Sequence, residues 1–203
     1  MLVDKSSEPL AQSTRLIGNF VQLTRLCVRL QLIQCFRRHK LGLRHPSQEP
    51  ITALEPALVY VTALAPDEGE KVADVFYRVE PHPQAPKLVP DGGGLIWLPE
   101  GAFATAFAQN ASGDRQAVLA AVQRPISLNC ITVPAGRPLW KDVPSWFLIA
   151  EHDRMIAPQT QRYMAQRMKS KTKAHAVDHT PSVTEPAVVV DIIRDAIRSV
   201  TGN

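Results

Sequence analysis

The chain has 203 residues, 45% of them hydrophobic, and a formal net charge of +4. That is enough for one domain with a sizeable core and too apolar for wholesale disorder. Its three cysteines, Cys27, Cys35 and Cys130, have no paired spacing, which argues against a disulfide framework or a zinc site and makes a reducing, cytoplasmic compartment the expectation.

The charge is uneven. Residues 1–55 hold eight Lys/Arg against four Asp/Glu, and the remainder holds fifteen of each. A solvated basic helix face is the plainer reading, and an arm for nucleic acid or anionic lipid is the other. No nucleic-acid partner is expected. Residues 1–13 are polar, with no basic start followed by an apolar run, so no secretory leader is expected. Ser13-Thr14 can cap a helix over 15–40, with Leu16, Phe20, Leu23, Cys27 and Leu30 at helical spacing. Asn19, Gln22, Arg25, Arg29, Gln31 and Gln34 interrupt that apolar side, so it is not a membrane span. Residues 42–56 read as a turn-rich linker.

From Ala57 the composition shifts. Residues 57–65 predict a buried strand that ends in the turn-forming run Pro66-Asp67-Glu68-Gly69-Glu70. Residues 72–77 start a helix. Four prolines and Gly92-Gly93-Gly94 make residues 81–94 irregular. Those glycines lack a following Lys-Ser/Thr, so a flexible loop is preferred to a phosphate loop. Residues 95–98 predict a short strand, and Pro99-Glu100 opens a helical pattern with Phe103 and Phe107 on one face. Residues 115–123 form an Ala-rich helix stopped by Pro125, and Pro134-Ala135-Gly136 reads as a turn.

Residues 146–150, Trp-Phe-Leu-Ile-Ala, form an unbroken apolar run that suits a strand buried on both faces. It ends in Glu151-His152-Asp153-Arg154. A helix follows from Ala157-Pro158 to Lys169, with Tyr163, Met164 and Met168 facing inward. A second apolar piece, residues 174–177, runs into Asp178-His179-Thr180-Pro181. The last helix starts near Pro186, with Val189, Ile192, Ile193, Ala196 and Val200 on its buried face. Strand, helix, strand, helix is the pattern of a parallel α/β sheet, whose sites lie at the carboxyl ends of the strands. Asp153 and His179 then stand at one rim, an acid beside an imidazole. Such a pair is the back half of a nucleophilic machine, because the acid orients the imidazole that takes the nucleophile's proton. Asp153 could also serve a purely structural role, and His179 could be an ordinary loop histidine. His175 and His179 would pair for metal on a helix, but in a strand and loop that spacing separates them, so no metal or cofactor is expected. His152 reads as a surface residue, and Trp140 and Trp146 read as core.

From Ala57 onward the chain resembles the α/β-hydrolases of the bacterial esterase type. The phrases that carry the resemblance are ALVYVTALAPDEGE at 57–70, FATAFAQN at 103–110, QRPI at 123–126, PLWKDVPSWFLIAEHDRMI at 138–156, QRYMAQRM at 161–168 and DHTPSVTEP at 178–186, in the family's order. The resemblance implies a domain over 56–203, Asp153 as triad acid, His179 as triad base, and a lid over about 72–139. Trp97, Phe103 and Phe107 in that lid would suit a small apolar ester. The family's nucleophile elbow, Gly-x-Ser-x-Gly, occurs nowhere in this sequence. Ser47 has no flanking glycines and is not assigned as nucleophile. The expectation is a partial α/β-hydrolase sheet behind a non-matching leader, 1–55, arising by truncation or a changed reading frame. Two functions lead, an ester or amide hydrolase impaired by its missing nucleophile and a non-catalytic relative that binds an apolar ligand or a partner chain; the basic arm for nucleic acid or anionic lipid is a third. Oligomeric state is not legible.

Overall fold

The computed structural model describes residues 57–201. The predicted helix over 15–40, the linker and Ser47 lie outside the described residues. Among the described residues, three parallel strands form the main sheet in the order β1 (Leu58–Val61), β4 (Ser145–Ala150), β5 (Lys171–His175). Leu58 pairs with Ser145 and Trp146 with Lys171, so the apolar run 146–150 lies in the middle. All six β4 residues are buried, and Phe147 and Leu148 are fully so. Burying each such side chain contributes about 1.5–3 kcal/mol, which is why an uninterrupted apolar run belongs here.

Each face of β4 meets a helix. Phe147 and Ile149 pack on Met164, Ala165 and Met168 around α5 (Pro158–Arg167). Alternation along the strand turns Trp146, Leu148 and Ala150 to the other face. There α7 (Pro186–Thr201) packs against β1 and β4 with Val189, Ile192 and Ala196 buried.

Between β1 and β4 runs an insertion whose regular elements are mostly helices. It contains α1 (Val72–Phe76), β2 (Leu95–Ile96), α2 (Glu100–Ala102), a π-helical turn (Phe103–Phe107), α3 (Gly113–Val122), β3 (Ile126–Ser127) and α4 (Asn129–Thr132). β2 and β3 pair antiparallel. Short α6 (Pro181–Thr184) precedes α7.

The structure corrects several sequence expectations. The first strand stops at Val61 instead of continuing to Ala65, because Thr62, whose N–H still donates to Leu148 O at 3.3 Å, turns to φ +45° and takes the chain out of the extended conformation; the strand is half-buried. Residues 134–136 are not a turn. Ala135 is bonded to the backbone of Gly69 and Glu70, which straightens the segment. β5 begins at Lys171, three residues before the apolar piece predicted to form it, because pairing with β4 uses its backbone whatever the side chains are.

Candidate active site

The β4–β5 pairing does not end with the strands. Glu151 N–H donates to His175 O at 2.8 Å, and His152 N–H donates to Val177 O at 3.1 Å. These bonds zip the two loops together at the carboxyl rim, so the residues that follow, Asp153 and His179, come side by side. His179 Nδ1 lies 2.9 Å from Asp153 Oδ2. The Asp153 side chain has no solvent exposure, and that of His179 has 17%.

Asp153 is held by more than the histidine. Its Oδ1 accepts the backbone N–H of Met155 at 2.8 Å and of Ile156 at 2.9 Å. Its Oδ2 also accepts Gln161 Nε2–H at 2.8 Å. Both oxygens are therefore engaged twice, and the carboxylate cannot rotate without breaking bonds in a buried site, where an unmade bond is costly. A carboxylate only accepts, so Nδ1 of the imidazole carries a hydrogen, and in the neutral ring Nε2 keeps its lone pair. That is the tautomer a general base needs.

Gln161 is fully buried on α5 and fixes the acid from behind. Its second Nε2–H donates to Ile156 O at 2.9 Å, and its Oε1 accepts Ala150 N–H at 3.0 Å, which ties acid, loop and strand end together. His179 is held at its main chain. Thr62 Oγ1, 8% exposed as a residue, lies 2.9 Å from His179 O and 2.8 Å from Val61 O, so the two carbonyls share its one hydroxyl hydrogen. A β-branched residue at φ +45° is held there against its own preference.

The insertion lies over this rim. Ala106, Met155 and Ile156 make a buried apolar cluster with Leu64, Phe76, Leu98 and Phe107 packed on it. The Phe107 ring stands 5.2 Å from the His179 ring, centroid to centroid. Phe103 is buried and meets Phe107 edge-on. Trp97, by contrast, is 45% exposed. Arg154 reaches Thr105 O at 2.8 Å, and Gln109 Nε2–H reaches His152 O at 2.8 Å. His152 is exposed, and His175 ends β5 as the register partner of Ala150.

The profile of the alpha/beta hydrolase family matches residues 41–192, most of the chain. The chain belongs to that family. The match begins ahead of Ala57, where the resembling phrases start. Solved structures with the same fold include a mutant of polyneuridine aldehyde esterase (15% identity, TM-score 0.56, covering 68% of this chain and 61% of that one). A pyrethroid hydrolase from Sphingobium faniae is 17% identical, with a TM-score of 0.54 over 68% of this chain and 59% of its own. A variant of tomato methylketone synthase I complexed with beta-ketoheptanoate is 13% identical, with a TM-score of 0.56 over 70% and 61%. At such identities the likeness shows the fold alone. The chain spans about three fifths of the length of these structures. A search of curated proteins found no match.

Among the described residues no cluster of His, Cys, Asp or Glu is placed to hold a metal, and no helix is long and apolar enough to cross a membrane. Sequence reasoning singles out Asp153 and His179 but misses Gln161, Thr62 and Asp178. Gln161 opens the phrase QRYMAQRM, and Thr62 and Asp178 lie within ALVYVTALAPDEGE and DHTPSVTEP. Their places in those phrases were the available signal. Their polar character alone pointed to solvent.

Proposed function

We propose that this alpha/beta hydrolase carries the acid–base half of an ester-hydrolase triad, with Asp153 orienting His179 as general base through Nε2. One observation carries the reading: the 2.9 Å contact between Nδ1 and a buried carboxylate that is otherwise bound by loop amides and Gln161. A buried carboxylate with a purely structural role has no need of a partly exposed imidazole aimed past it. The insertion acts as a lid, and the cluster of Phe107, Leu98, Leu64 and Phe76 suits an apolar acyl or aromatic ester.

The family's Gly-x-Ser-x-Gly elbow is absent from this sequence. With no attacking hydroxyl, and no oxyanion hole from the amide that follows it, turnover falls by several orders of magnitude. The chain is thus impaired as an enzyme as it stands. The same absence favours a second reading, a non-catalytic hydrolase relative that retains the apolar site for a ligand.

p-Nitrophenyl ester turnover, measured with the unaltered chain and with His179→Ala, separates the two. The hydrolase reading expects weak turnover, driven by imidazole acting on water, that falls to the buffer rate in the variant. Equal rates for the two proteins remove it. Binding of a non-hydrolysable apolar ester analogue with no turnover supports the second reading.

A further inference from the structure

His179 is flanked by Asp178 and Thr180, and both grip the same short stretch of the insertion. The Asp178 side chain is fully buried. Its Oδ2 accepts Asn110 N–H at 3.0 Å. Its Oδ1 accepts Thr180 N–H at 3.1 Å and lies 2.7 Å from the Thr184 hydroxyl. One carboxylate therefore joins the insertion, the base loop and α6. On the other side of the histidine, Thr180 Oγ1–H donates to Phe107 O at 3.1 Å. Between these two attachments sits the Phe107 ring, against the imidazole.

A fully buried carboxylate is costly unless it is well bonded, and this one spends its capacity on groups that perform no chemistry. We infer that Asp178 and Thr180 are positioning residues for the His179 imidazole, clasping Phe107 and Asn110 so that the aromatic ring fixes the base and screens one of its faces from water. The inference rests on His179 being the base of the proposed triad. The clasp couples the site to the insertion: when residues 107–110 lift away, the imidazole loses the wall that sets its angle. A role confined to stability would leave the ring's orientation unchanged while the fold holds.

The test is nuclear magnetic resonance on the isotopically labelled full chain, which needs no turnover, so an inactive protein bears on the triad and not on the clasp. Asp178→Asn keeps the side chain's volume and removes an acceptor. The expected result is loss of the cross-peaks between the Phe107 and His179 rings and a shift of the His179 ring resonances. Exchange at the Asn110 amide should rise roughly tenfold to a hundredfold, the consequence of losing one bond to a charged acceptor. The amides of Phe147 and Leu148 in β4 should keep their rates. Unchanged ring cross-peaks in a folded variant overturn the inference, whatever Asn110 does. Should Asp178→Asn not fold, Thr180→Val removes only the bond to Phe107 O. In that variant, loss of the cross-peaks supports the clasp, and their persistence overturns it.

Discussion

Replacing Gln161 by leucine keeps the shape of a fully buried side chain and removes every polar function it has. Three bonds disappear: to Asp153 Oδ2, to Ile156 O and from Ala150 N–H. Leucine and glutamine are close in volume, so the cost is in polar groups and not in a cavity. A buried backbone group left without its partner costs about 1–3 kcal/mol, and a bond to a charged acceptor is worth about 1.5–3 kcal/mol. The loop can relax to recover part of this, so the loss of stability should be about 4 kcal/mol. For a chain of this size that lowers the melting temperature by roughly 8–16 °C. Urea unfolding followed by tryptophan fluorescence measures it directly. A loss below about 1 kcal/mol would show that Gln161 does not brace the acid, because the two backbone orphans alone exceed that figure.

Other outcomes follow from the same geometry. Burial, with Tyr60 stacked on Phe147, pushes the Tyr60 phenol up to about 12. Its folded value lies above the ordinary value of about 10, so its contribution is complete below pH 10 and is lost as pH rises through 12. The tyrosinate absorbance step that is missing in Tyr60→Phe should appear at about pH 12, and a step near pH 10 would contradict the burial. The Arg167 guanidinium beside Glu70 holds that carboxyl below its usual value. Its stabilisation is present above the ordinary carboxylate range and fades as pH falls through the lowered value, so the melting-temperature gap between the unaltered chain and Glu70→Gln should close as the solution is acidified past that range. A gap that widens in acid would refute the pairing. Lys169 caps α5 at φ +53°, and Lys169→Gly should stabilise the protein by about 0.5–1 kcal/mol in urea unfolding, since glycine takes that conformation without strain.

What could be read from the sequence divides along physical lines. β4 was legible because burial on both faces requires an unbroken apolar run, and the run at 146–150 is too short for a helix of its own and bounded by polar residues on both sides. α7 was legible because one face is buried and the other wet, which writes a helical period into Val189, Ile192 and Ala196. The start of β5 was not legible. Its residues Lys171-Thr172-Lys173 lie at the rim of the described sheet, where only the backbone pairs and the side chains are free to be polar. Gln161 escaped notice because a glutamine in a helix ordinarily faces water, and nothing local says that a carboxylate waits across the loop. Thr62 and Asp178 act over 117 and 68 residues of sequence, on His179 O and Asn110 N. Contacts of that range leave no periodic trace.

The candidate pair therefore owes its geometry less to itself than to its surroundings. Among the described residues, the attachments that hold Asp153 and His179 run from Thr62 to Thr184. On the proposed reading, the orienting half of a triad can persist where the elbow is missing, because the pair is held by backbone pairing past the strand ends, one buried glutamine and two loop amides. None of these requires a nucleophile. Hydrolysis and the Asp153–His179 contact are separable properties, and structure-sensitive measurements on His179 report on the contact whether or not an activity assay shows turnover.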